Sequence, residues 1–185
     1  MNTHVARETQ DILQIIEDKN YYYALPEHRK TVAVSLAAVS LCGKNLWYVP
    51  EDNITKEFEG REICRTALAA KDADCTLLSA IPFPDVQREA IQRFLGEKKE
   101  PAFVVYSFAD MQDAKMAQEA VKAEAYCIQL VPDKLLTKEL CQTALQSPNA
   151  DDKVSKFVFE RFPELKTEQM QNEEKPQQKG VKMKF

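Results

Sequence analysis

Cysteine, histidine and carboxylate are the side chains through which a helical protein most often does chemistry, and here the cysteines carry the clearest pattern. Cys64 and Cys141 sit in near-identical strings, E-I-C-R-T-A-L and E-L-C-Q-T-A-L. A thiolate nucleophile beside a base is the first chemistry to consider. Equivalence argues against it: a nucleophile is needed once, whereas a residue recurring beside a packing alanine reads as a small core hydrophobe, with Ser35, Gln87 and Ala117 at the matching sites. Cys42, Cys75 and Cys127 complete an odd number without a C-x-x-C pair, which speaks for reduced thiols rather than a disulfide framework or a zinc site. Histidine is limited to His4 and His28, both expected to be solvated. The acids Glu57, Glu59, Glu62, Asp72 and Asp74 read as solvated helix ends. No H-E-x-x-H, G-x-S-x-G or G-x-G-x-x-G occurs, so the sequence points to no catalytic residue, no metal ligands and no cofactor.

What remains is a run of aromatics at one repeated position. The stretch from Leu46 to Pro82 begins and ends on an apolar pair closing on proline, Tyr48-Val49-Pro50 and Ala80-Ile81-Pro82. The same phrase recurs with anchors at Pro26, Pro50, Pro82, Ala109 and Pro132, and a degenerate sixth copy, F-V-F-E, ends at Glu160. Four residues before the anchor stand Tyr22, Leu46, Leu78, Val105 and Ile128; one before it stand Leu25, Val49, Ile81, Phe108 and Val131. That spacing puts both on one face of a short helix. Three before the anchor stand Tyr23, Trp47, Ser79, Tyr106 and Gln129, turned away from that face and able to point outward. Tyr23, Trp47 and Tyr106, with Tyr48 beside them, are therefore the candidate partner-binding residues, because aromatics offer large contact area at little entropic cost. The opposing expectation is that they wedge between repeats.

The elements that must position this edge are also periodic. After each anchor comes an apolar residue, three variable positions, alanine and an aliphatic residue: Val34/Ala38/Val39, Ile63/Ala67/Leu68, Val86/Ala90/Ile91, Met116/Ala120/Val121 and Leu140/Ala144/Leu145. This is one face of an α-helix whose alanine permits close approach of a neighbour. Gly43 reads as a left-handed residue closing the first of these helices, and Thr55 and Thr137 as N-caps of later ones. The fold class expected is all-α, a short right-handed solenoid of about five helix-turn-helix repeats over residues 3–165, followed by a disordered polar tail over 166–185.

Units reading leucine, aromatic, V-P-E, then T-x-E-x-C-x-x-A, here Leu46 to Leu68 and Leu130 to Leu145, resemble bacterial arrays of short helical repeats filed as a domain of unknown function. The likeness covers about Tyr21 to Phe162. It implies a helical-repeat fold and supplies no catalytic residues.

The 185 residues carry a net charge of −4. The body before Lys166 holds −6 and the tail +2, and an acidic body without a basic stripe excludes nucleic acid as a partner. Neither a basic leader with an apolar core nor a membrane-spanning run occurs, so a cytoplasmic protein, a monomer with no membrane partner, is expected. The function expected is non-catalytic protein–protein interaction or scaffolding through one face of the stack. The alternative is an enzyme, or a subunit of one, whose cysteine or carboxylate site is not recognisable from sequence.

Overall fold

The structure is a computed structural model that describes residues 3–97, 100–109, 111 and 113–167. All regular structure among the described residues is helical. The expected tail lies outside them except for Lys166 and Thr167, which fall in a helical stretch over 163–167. The chain forms two compact units, Met1–Met116 and Ala117–Phe185.

In chain order the α-helices are α1 (Thr3–Glu17), α2 (Tyr21–Ala24), α3 (Val32–Leu41), α4 (Glu51–Ile54), α5 (Glu59–Ala69), α6 (Pro84–Glu97), α7 (Ala102–Ser107), α8 (Ala114–Ala123), α9 (Lys138–Gln146) and α10 (Asp152–Arg161). The alanine pattern selects the longer helices following each anchor, α3, α5, α6, α8 and α9. Ala38, Ala67, Ala90, Ala120 and Ala144 are all buried, together with the apolar residue four positions earlier in each helix. Ser35, Cys64, Gln87, Ala117 and Cys141, the small-residue position between them, are buried as well. Full burial of an aliphatic side chain such as Ile63 contributes about 1.5–3 kcal/mol, so this recurring face is the main source of cohesion.

Caps set the helix starts. Thr31, Asp113, Thr137 and Asp151 accept hydrogen bonds from the backbone N–H of Val34, Met116, Leu140 and Val154, satisfying donors that no turn of helix can reach. Thr55 does not cap α5. It ends α4, its hydroxyl donating to the Glu51 carbonyl at 2.8 Å, and α5 starts later, from Phe58. Gly43 is not left-handed either. It opens a 3-10 helix, and a Cβ there would stand 2.5 Å from the Ala67 carbonyl oxygen, so close approach of backbones is what requires glycine.

The phrase before each anchor forms the short segment. Gly43–Tyr48, Cys75–Ala80 and Ala125–Leu130 are 3-10 helices, and α2 is a single α turn. Proline disfavours the helical region for the residue before it, and Leu25, Val49, Ile81 and Val131 are extended, with ψ of 135°, 129°, 113° and 124°. Each sends its N–H back to the residue three before it, closing one tight turn that buries both, as in Val49 to Leu46 at 3.2 Å. The sixth copy, which lacks proline, runs inside α10.

In the first unit the long helices pack serially, α1 on α3, α3 on α5 and α5 on α6. The short segments make a second row: α2 on 43–48, 43–48 on 75–80, and 75–80 on α7. Between α5 and α6, Arg61 pairs with Asp85 and stacks 4.5 Å from the centre of the Phe83 ring, and Arg65 pairs with Glu89 at 2.9 Å. Helix α1 buries Ile15, and polar groups tie it to the turn ahead of α3, buried Asp11 pairing with Arg29 and Thr31 donating to Glu8. In the second unit, segment 125–130, α9 and α10 pack against one another around Ile128, Cys141, Val154 and Val158.

Candidate functional site

Two consecutive tyrosines on α2 divide between core and surface. Tyr22 is fully buried, its hydroxyl 2.9 Å from that of Ser35, and burial pushes its phenol up to about 12. Tyr23, one step around the helix, is 65% exposed. Its ring meets that of Tyr48 edge to face, centroids 4.8 Å apart and planes at 79°, a favoured arrangement for aromatic quadrupoles. Trp47 is 49% exposed and precedes Tyr48 on the same 3-10 helix. Lys30 fixes the arrangement from behind: its Nζ donates to the Tyr48 carbonyl at 3.3 Å and lies 4.9 Å from the centre of the Tyr22 ring. Desolvation holds its ammonium below the ordinary lysine range. The structure thus brings Tyr23 and Tyr48 together, with Trp47 alongside, into one exposed aromatic group on α2 and the 43–48 segment.

Tyr106 does not belong to it. It is 3% exposed, and its ring is part of the core. The local difference is at the anchor: Ala109 stands in place of proline, and Phe108 keeps helical dihedrals (φ −96°, ψ −6°) where Leu25, Val49, Ile81 and Val131 are extended. At the other copies of this position Ser79 and Gln129 are exposed, as Tyr23 and Trp47 are. The outward orientation follows the proline, and the aromatic character stops after the second copy.

The thiols occupy sites unsuited to nucleophilic work. Desolvation pushes Cys64 and Cys127 up to about 12 and Cys141 to about 11, where the thiolate is absent at neutral pH. Cys42 is raised by desolvation and by its hydrogen bond to Asp72 at 3.0 Å. Asp72 also accepts from the Gly43 N–H at 2.8 Å, and Asp74 caps its own turn at the Thr76 N–H while pairing with Lys44. These carboxylates hold the turn between α5 and the 75–80 segment against residues 42–44. Among the described residues no group of three or more His, Cys, Asp and Glu could hold a metal ion, and no helix is long and apolar enough to cross a membrane.

Two features escape sequence reasoning. Lys30 lies outside the repeat phrase, and only folding carries it beneath Tyr48. His4 and His28, distant in sequence, wall one small cavity of about 80 Å3 with Glu8 and Thr31. No protein-family model, curated protein or solved structure matches the chain.

Proposed function

We propose that this chain is a non-catalytic protein-interaction or scaffold module, a short right-handed solenoid of about five helix-turn-helix repeats of the kind found in bacterial helical arrays, acting in the cytoplasm. The observation that carries the interaction reading is the exposed aromatic group of Tyr23, Trp47 and Tyr48, held in place by Lys30 on a packed helical scaffold. Rigid aromatics of this kind supply the anchors of protein interfaces. The raised thiols support the same reading over cysteine chemistry.

The test is affinity capture from the native host with the intact chain as bait, followed by titration of the captured partner against Trp47→Ala and Tyr23→Ala. Each substitution should weaken binding by about 2 kcal/mol, roughly 30-fold, with the melting temperature nearly unmoved. Unchanged affinity in both variants would remove the aromatic group as the site.

A further inference from the structure

The ten residues of α3, Val32–Leu41, include no charged side chain, and their hydrophobicity is spread evenly around the helix axis. A helix of that kind is ordinarily buried on every side. Here only one side is: Val34, Ser35, Ala38 and Val39 are buried, whereas Ala33, Ser40 and Leu41 are exposed and Ala37 is half-buried. Helix α1 has a matching surplus. Val5, Leu13 and Ile16 are exposed, the last two at 54% and 60%, with exposed Thr9 among them.

Both surpluses lie on the same side of the row of long helices. The segment 21–24 marks the other side: Tyr22 meets Ser35 hydroxyl to hydroxyl at 2.9 Å, and Tyr21 donates to Asp11 at 3.4 Å. Residues two apart on a helix lie about 200° apart, so Thr9 and Leu13 are turned away from Asp11 as Ala33 and Ala37 are turned away from Ser35. Because α1 packs directly on α3, the two stripes adjoin and make one face of the first unit. That face is uncharged. Arg7, Glu8 and Asp11 wall the small cavity on the opposite flank of α1, and Glu17 borders the stripe at its end. Its two hydroxyls are spent within their own helices, Thr9 donating to the Val5 carbonyl at 2.9 Å and Ser40 to that of Ala37 at 2.8 Å.

We propose that this face pairs with the same face of a second copy, so that the chain is a two-fold symmetric dimer in place of the monomer expected from sequence. An isologous contact sets a patch against itself, which an uncharged patch permits and a charged one opposes. A face without charge or free donors gives a polar partner nothing to orient it, and homodimer interfaces are the more apolar class. Covering the two stripes on both copies removes roughly 1,200 Å2 of surface, the lower end of stable interfaces, which sets the expected Kd in about the micromolar range. The face shares no residue with Tyr23, Trp47 and Tyr48, so this proposal and the aromatic site fail separately.

The experiment is sedimentation velocity of the full chain over about 1–200 µM. A concentration-dependent shift from monomer to dimer is expected. The double variant Leu13→Glu/Leu41→Glu, which sets like charges against one another across the contact, should raise Kd at least about tenfold, while Lys156→Glu, an equal change of net charge at an exposed position of α10, should alter it by less than about twofold. Removing residues 168–185 should leave Kd within about twofold. Circular dichroism melts confirm that each variant is folded. A monomer at every concentration, or equal weakening by the double variant and by Lys156→Glu, would overturn the proposal. So would a chain that dimerises only after removal of 168–185, which would assign the face to that segment instead.

Discussion

Trp47 and Tyr106 stand at the same distance before the anchor of their repeats, on segments of similar length, yet one is 49% exposed and the other 3%. Around Trp47, Pro50 keeps Val49 extended, so the chain closes a 3-10 turn over Leu46 and Val49 and the residue between them is thrown outward. Around Tyr106, Ala109 supplies an N–H that donates to the Tyr106 carbonyl at 3.1 Å, Phe108 keeps helical dihedrals instead of turning extended, and the ring is buried in the core. One side chain at the anchor thus decides whether an aromatic is offered to a partner or used for cohesion.

The contrast breaks most visibly under truncation. Tyr106→Ala should cost about 3–5 kcal/mol of folding free energy in urea denaturation, as loss of a buried aromatic does, and Trp47→Ala less than about 1. Similar costs for the two would mean that both rings wedge between repeats. The half of the repeat that does not depend on proline gives the next largest effect: Ala67→Leu should overpack the α3–α5 contact and cost about 1–3 kcal/mol by the same measurement. Ala109→Pro addresses the anchor itself. It removes the N–H donated to Tyr106 and forces Phe108 out of the helical region, for a cost of about 1–2 kcal/mol, whereas Pro50→Ala should cost under about 1. The smallest effect is on pH dependence. Cys64, Cys127 and Cys141 keep their protons in the folded state up to about 11–12 but release them near 9.0 when unfolded, so the native state binds more protons across that window and stability falls as pH rises through it. At pH 9 the loss is about 0.4 kcal/mol for each thiol, seen as a falling melting temperature.

Most of the helical core was legible because it is periodic. An alanine at i+4 from an apolar residue needs no tertiary knowledge to be placed on a packing face, and all five such alanines are buried. The paired positions four and one before the anchor were legible for the same reason, and all are buried except Phe108, which is half-buried. Tyr106 was not, because its orientation goes with the backbone of Phe108, helical where the residue before each anchor proline is extended, and that turns on a residue three positions away whose effect is conformational. Helix α1 lies outside this periodicity. Its apolar residues Val5 and Ile16, with Leu13, are exposed, while Asp11 is buried against Arg29, a pairing that only the meeting of α1 with the turn after Pro26 creates. The role of Gln87 was equally hidden: at a position taken by serine, cysteine or alanine elsewhere, it ties together two carbonyls at the end of the 75–80 segment.

The central claim, that the anchor proline turns the aromatic outward, is tested most directly by moving the only tryptophan. The intact chain carries it at 47. The variant Trp47→Phe/Tyr106→Trp carries it at the equivalent position of the repeat without proline. Emission near that of indole in water with ready iodide quenching is expected for the intact chain, and blue-shifted, poorly quenched emission for the variant. Equal wavelengths and equal quenching at the two positions would contradict the account.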